Sequence, residues 1–341
     1  MHENFEARED PSGHAGFEVD QDLAGQRLDR FLADHLGDMS RTHVQTLIDE
    51  GRVLVNGAAQ KSSYRLEAGE TVTVEIPAPP PPGVEAENIP LDILYEDSDV
   101  AVVNKPAGMI VHPGAGAGSG TLVAALLHRF GGGKGLSTVG GPLRPGIVHR
   151  IDKGTSGALL IARTDMAHLK LVEDFRQRRI EKTYVALLHG KLKGESGRIE
   201  LPIARDLRRR SRMTARRPEG REARTDWRMR LRLAGFSLIE AGLHTGRTHQ
   251  IRVHFSALGC PVVGDTVYGA PRQEKVGTET LPLLERNFLH AVRIAFVHPR
   301  SSQQIECRAP LSSELVSYLQ GLGRATNALP GSIDAALRGF L

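Results

Sequence analysis

The sequence predicts a mixed α/β (α+β) protein in two domains, and three observations carry that prediction. Some segments place apolar residues at helical spacing, as at Leu28, Phe31, Leu32 and Leu36, whereas others alternate or run as short apolar blocks, as at 71–76 and 158–162. The run Pro77-Ala78-Pro79-Pro80-Pro81-Pro82-Gly83 breaks the chain with a composition that favours extended polyproline II, a semi-rigid spacer. The 341 residues, 40% hydrophobic and 25% charged, are ordinary for a globular chain and enough for about two domains with full cores.

Taken in order, residues 1–16 are polar without an apolar period and read as a disordered tail. Residues 17–76 read as a small domain. A helix carries Leu28, Phe31, Leu32 and Leu36, and a second, capped by Ser40, carries Val44, Leu47 and Ile48 before Gly51. Val53-Leu54-Val55, the hairpin turn Asn56-Gly57 and the alternating run 71–76 supply strands. The linker is 77–84, the second domain 85–322, and 323–341 a peripheral C-terminal extension.

In the second domain, 91–96 and 100–104 read as strands paired around Asp97-Ser98-Asp99, and 121–130 as a helix with Leu122, Ala125, Leu126 and Phe130 on one face. The Gly-rich run 131–141 lacks phosphate-loop spacing and reads as a surface loop. Thr164 or Asp165 caps a helix to about Arg179, whose stripe Met166, Leu169, Val172 and Phe175 is expected in the core. Residues 182–189 and 236–243 read as strands, 198–232 as a basic hairpin with a mobile tip, and 248–258 as a helix with Ile251, Phe255 and Leu258 inward. Residues 289–297 and 304–309 are late strands.

The most informative stretch is 146–163, GIVHRIDKGTSGALLIAR. Two apolar runs flank a polar, Gly-containing turn, which reads as strand, tight loop, strand. Asp152 sits where strand gives way to loop, between Arg150 and Lys153. An Asp there commonly caps a turn. The whole string, however, resembles the H-R-[LI]-D-x-x-[TS]-[TS]-G signature of the RluA-type pseudouridine synthases. Lys182-Thr183-Tyr184-Val185-Ala186-Leu187 and His244-Thr245-Gly246-Arg247-Thr248-His249-Gln250-Ile251-Arg252-Val253-His254 also match that family, as do Asn104-Lys105-Pro106, His112-Pro113-Gly114 and the stretch 261–269. The resemblance spans roughly 17–315 and is closest to the large-ribosomal-subunit synthase D branch. Ile151 replaces the commoner Leu, a volume-conserving change. Within 17–76, R-L-D-R-F-L…S-R-x-x-V-Q-x-L-I…G-x-V-x-V-N-G resembles the alpha-L RNA-binding motif, with a protein-binding adaptor as the alternative.

The resemblance implies a catalytic domain centred on a mostly antiparallel sheet flanked by helices, behind a small N-terminal α/β RNA-binding domain. It implies isomerisation of uridine to pseudouridine in RNA, with 23S ribosomal RNA as the expected partner and tRNA or another RNA as the alternative. A noncatalytic RNA-binding assembly factor is a further alternative, against which the retained motif residues speak. By resemblance Asp152 is the nucleophile or initiating base, Tyr184 stacks on the base and takes part in the final deprotonation, and Arg252 pairs with Asp152. Arg150 is expected to fill the gap left by a flipped uridine and Arg247 to bind phosphate. Arg27, Arg30, Arg41 and Arg52 take the positions that carry basic groups to RNA in the N-terminal domain. The reaction is redox-neutral and gains or loses no atom, so no cofactor is expected.

Charge agrees with a polyanionic partner. The net charge is +4, but residues 205–232 hold twelve Arg against Asp206, Glu219, Glu222 and Asp226, so the rest of the chain is net negative. The two cysteines, Cys260 and Cys307, form no C-x-x-C pair or secreted framework, which points to a reducing cytoplasm. The acidic start MHENFEARED is unlike a signal peptide, no apolar run approaches a membrane span, and the fourteen His show no metal-ligand spacing. A single Trp and few aromatics argue against a stacked-aromatic RNA-recognition sheet. Oligomeric state is left open, with a monomer expected.

Overall fold

The structure, a computed structural model, describes residues 8–10, 14–36, 41–75, 84–113, 118–131, 135–209, 212–273, 275–276 and 279–340. The expected cap Ser40, the proline run and residues 132–134 of the Gly-rich loop lie outside the described residues. The chain divides into two compact units, 1–82 and 83–341.

The first unit holds β1 (Arg8–Asp10), β2 (His14–Glu18), α1 (Leu28–His35), α2 (Arg41–Asp49), β3 (Val53–Val55), β4 (Ala58–Ala59) and β5 (Thr71–Glu75). The strands order β1-β2-β5-β3-β4, all antiparallel. Val72 and Val74 alternate inward from β5 and meet Leu28, Phe31, Leu32, Val44, Leu47 and Ile48 from the two helices. Asn56 and Gly57 both have positive φ, the geometry a two-residue hairpin turn needs to match strand twist. The stretch read as a disordered tail contributes β1 and the start of β2. That pairing runs through main-chain groups and leaves no apolar period to read.

The second unit begins with β6 (Asp92–Glu96), β7 (Val100–Lys105), α3 (Leu122–Arg129), β8 (Ser156–Ala162), α4 (Asp165–Arg176) and β9 (Glu181–His189). There follow β10 (Ser196–Ile199), β11 (Ala204–Arg205), β12 (Met213–Thr214), β13 (Thr225–Leu233), β14 (Phe236–Leu243) and α5 (Gln250–Ala257). Last come β15 (Lys275–Val276), β16 (Glu279–Thr280), β17 (Leu289–Val297), β18 (Gln304–Arg308), α6 (Ser313–Ala325) and α7 (Ser332–Leu337). The main sheet orders β10-β13-β14-β9-β17-β8-β7-β6, with β18 also on β17. Its neighbours are antiparallel except β8 and β17.

Both faces of the sheet's centre are covered. Ala101, Val103, Leu159 and Ile161 join one apolar cluster, while Val100, Val102, Ala158, Leu160 and Ala162 join another. That double burial explains why β8 is buried along its whole length and apolar after Ser156.

Five local readings need correction. Residues 146–148 form no strand: Ile147 makes one isolated bridge to Ile161, and Gly146 takes a positive φ that turns the chain away. Of the α4 stripe only Phe175 packs against the core, since Met166, Leu169 and Val172 are 41%, 61% and 43% exposed. The helix instead lays Ala167, His168, Leu171 and Asp174 inward; small Ala167 lets it lie close, and Asp174 is paired with Arg179 and Lys170. The basic segment 198–232 is only partly an excursion. Residues 225–233 are an interior strand, where Trp227 and Leu233 are buried and Arg230 and Arg232 find Glu240 and Glu195. The C-terminal extension is not peripheral: Ala336, Leu337 and Phe340 pack into the main core, and the Phe340 carbonyl accepts the Leu311 N–H. Leu258, expected inward, is also exposed.

Candidate active site

The sheet brings the Asp152 loop beside Tyr184 through one shared neighbour. At the start of β17, Ala291 lies opposite Gly157 on one side and Tyr184 on the other. Gly157 has φ +113°, and a Cβ there would lie 2.3 Å from the Ala291 carbonyl oxygen. Only glycine permits that approach, which explains the last position of the signature. His149 Nε2 accepts the Leu160 N–H at 2.8 Å and so ties the loop's entry to β8. Burial pushes the His149 pKa down to about 3, consistent with a neutral acceptor.

Arg252, on the buried face of α5, organises the carboxylates. Its Nη1 donates to Asp152 Oδ2 at 2.9 Å, while Nε and Nη2 grip Asp265 at 2.6 and 3.0 Å. Burial alone would lower the Arg252 pKa, but the hydrogen bond and charge of Asp265, with the charge of Asp152, outweigh it and hold it above its usual value. The bidentate grip therefore belongs to Asp265, and Arg252 presents one remaining arm to Asp152. Arg252 also lies over the Tyr268 ring, 4.9 Å from its centroid. Tyr268 hydroxyl accepts the Met213 N–H and stands 2.7 Å from His249 Nδ1. His249 Nε2 then faces Asp152 Oδ1 at 4.0 Å. His249 sits in the left-handed region, φ 58°, a conformation that non-glycine residues hold only under constraint.

The loop between β14 and α5 is fixed by Gln250. Its Oε1 accepts the Thr245 hydroxyl and the Arg247 N–H, and its Nε2 donates to the Arg224 carbonyl and Thr225 hydroxyl. This buried amide is satisfied at both ends, which accounts for the spacing of the T-G-R-T-H-Q string.

These elements enclose a cleft of about 490 Å³ lined by both motif strings. Asp152, Tyr184, Arg252, Arg150 and Arg247 all border it. Tyr184 is buried, and desolvation followed by the charge of Asp152 raises its pKa. Arg150 is exposed, with Nη1 3.4 Å from His112 Nε2. Arg247 Nε donates to the Glu222 carbonyl at 2.9 Å. Asp265, His249, Tyr268 and Lys182 had no role from sequence. The signal for Asp265 was present in the matched stretch 261–269, since a buried arginine needs more than one acceptor.

In the first unit, Arg27 and Arg41 converge with Gln45 on the buried carboxylate of Asp29, at 3.0, 2.9 and 2.8 Å. The bond from Arg27, despite burial, holds Asp29 well below the usual carboxylate range. Arg30 is exposed with Asp34 at 3.9 Å, and Arg52 pairs with Glu50 and Glu75. Asp97, Asp99 and His298 are grouped closely enough for a cation, yet Arg300 already holds Asp99 at 2.6 Å through two nitrogens. That cluster reads as a turn lock. No described helix is long and apolar enough to cross a membrane.

Comparison with known proteins agrees with this geometry. Residues 99–257 match the RNA pseudouridylate synthase family and 26–72 the S4 domain. The chain is 42% identical to an uncharacterized RNA pseudouridine synthase of Bacillus subtilis, over 89% of this chain and 96% of that one. It is 40% identical to the ribosomal large subunit pseudouridine synthase D of Zymomonas mobilis, over 86% and 93%. The solved structure of human RNA pseudouridylate synthase domain containing 1 aligns with a TM-score of 0.51 at 29% identity, covering 72% of this chain and 98% of that one.

Proposed function

The chain belongs to the RNA pseudouridylate synthase family, and we propose that it isomerises specific uridines of large-subunit ribosomal RNA, with Asp152 as the initiating group. The observation that carries this reading is the Asp152 carboxylate, half-buried in the cleft, held by Arg252 and bordered by Tyr184. The similarity to proteins named ribosomal large subunit pseudouridine synthase D supports the choice of RNA.

The reaction breaks the bond from the sugar's glycosidic carbon to uracil N1 and forms one to C5. A flipped uridine enters the cleft at a cost of a few kcal/mol, less from a loop than from a duplex. Arg150, exposed at the cleft edge, fills the gap it leaves. Asp152 then attacks the glycosidic carbon or removes a proton from the adjacent sugar carbon as uracil departs. The freed base turns over against Tyr184 and its C5 bonds to the sugar as Asp152 is released from the glycosidic carbon or returns the sugar proton; N1 takes up a proton and the C5 proton passes to solvent water. Burial keeps Tyr184 a neutral phenol, so it serves that last step through its hydroxyl and ring rather than as a phenolate. Arg252 holds Asp152 in one orientation through these changes, because Asp265 fixes the guanidinium from behind. Arg247 binds phosphate at the cleft edge.

In the first unit, Asp29 aligns Arg27 and Arg41 to present their outer edges to RNA, with Arg30 and Arg52 beside them. Action as a monomer in the cytoplasm is part of this reading, and the two free cysteines are in keeping with a reducing compartment. The test is mapping of pseudouridines by carbodiimide treatment and reverse transcription in cells with and without the protein. Loss of one or more sites in large-subunit RNA is expected. Loss confined to tRNA would move the substrate, and no loss would remove the reading.

A further inference from the structure

Lys182 borders the same cleft and has no role in the chemistry above. It lies on β9 two residues from Tyr184, so period-2 alternation puts both side chains on one face, about 7 Å apart along the strand. Its ammonium stands 5.3 Å from the centre of the Phe175 ring, and no carboxylate partner is found for it among the described residues. Gly246 borders it on the opposite loop: a Cβ there would lie 4.0 Å from Lys182 Nζ, and its absence keeps the approach open. Burial pushes the Lys182 pKa down to about 8, as expected of a cation waiting for a counter-charge.

The rim beyond it is also cationic. Arg178 Nη2 meets Glu222 Oε1 at 3.0 Å, and Arg247 donates to the Glu222 carbonyl. Burial, then the neighbouring charges of Arg221 and Arg178, lower the Arg247 pKa, against the opposing charge of Glu222.

Resting on the pseudouridine synthase reading, we propose that Lys182 receives the phosphate group flanking the target nucleotide, with Arg178, Arg221 and Arg247 continuing the phosphate track out of the cleft. With the sugar at Asp152 and the base against Tyr184, the next charged group of the chain falls two strand residues away, where Lys182 waits. Lys182 thus contributes to binding of the nucleotide's phosphate and takes no part in bond making.

The test compares wild type, Lys182→Met, Lys182→Gln and Lys182→Arg, using protein-free large-subunit ribosomal RNA labelled at uracil C5. RNA binding at several salt concentrations and single-turnover tritium release are measured. Lys182→Met and Lys182→Gln are expected to bind roughly tenfold or more weakly, as for loss of a charge-assisted hydrogen bond. Their log–log salt slope should fall by about 0.7, one single-strand phosphate, with the rate at saturating RNA kept and Lys182→Arg restoring the slope. An unchanged slope, or a lost saturating rate with unchanged binding, would overturn the proposal. Absence of tritium release from wild type would instead strike the functional reading, and the salt slopes would still decide whether Lys182 meets a phosphate.

Discussion

Arg252 ties the candidate site to the stability of the fold. Its guanidinium is buried between two carboxylates, Asp265 gripped bidentately and Asp152 through a single bond. Asp265→Asn keeps the shape but removes a buried charge from this set. Breaking a buried pair costs about 3–5 kcal/mol, so urea unfolding should show a loss near that size, with slower turnover as Arg252 shifts. Stability within about 0.5 kcal/mol of wild type would mean that Asp265 is not what holds Arg252. Tyr184→Phe separates ring from hydroxyl. The ring still stacks, so RNA binding should persist while single-turnover product formation slows sharply. Unchanged rates would leave Tyr184 as a packing residue.

At the level of elements, the decisive contact is the approach of β8 to β17 at Gly157, which seats the Asp152 loop next to Tyr184. Gly157→Ala adds a methyl into the Ala291 backbone at a φ that alanine rarely adopts. It should cost about 1–3 kcal/mol in chemical unfolding and most of the activity, because the strand must move. Full activity would show that the loop is held otherwise. This glycine was legible from sequence as part of a motif, and so were the strands β7, β9, β14, β17 and the helices α1 and α3. The α4 face was not legible, because two stripes compete there. Hydropathy favours Met166, Leu169 and Val172, while fit against β8 selects Ala167 and Leu171, with Asp174 neutralised by Arg179 and Lys170. The three C-terminal contacts Ala336, Leu337 and Phe340 are too sparse to show a period, yet tertiary packing buries them. Asp152, Tyr184 and Arg252 could be named because each sits in a string; His249 and Tyr268 come close to Asp152 only through the fold.

For the whole molecule, two separate cores divide the labour: one carries Asp29 and its arginines, the other the cleft. A chain beginning at Gly83 should fold, keep the chemical step and bind ribosomal RNA more weakly. Its log–log salt slope should be shallower by two to four contacts' worth, at about 0.7–0.9 each, as Arg27, Arg30, Arg41 and Arg52 are lost. Equal affinity and equal slope with and without residues 1–82 would mean that the first unit does not bind RNA. All of this presupposes that the Asp152 carboxylate does the chemistry. The most direct measurement is tritium release from uracil-C5-labelled large-subunit ribosomal RNA by wild type and Asp152→Asn, at matched fold and RNA binding. Release by wild type and none by the variant is predicted; turnover of the variant close to wild type would contradict it.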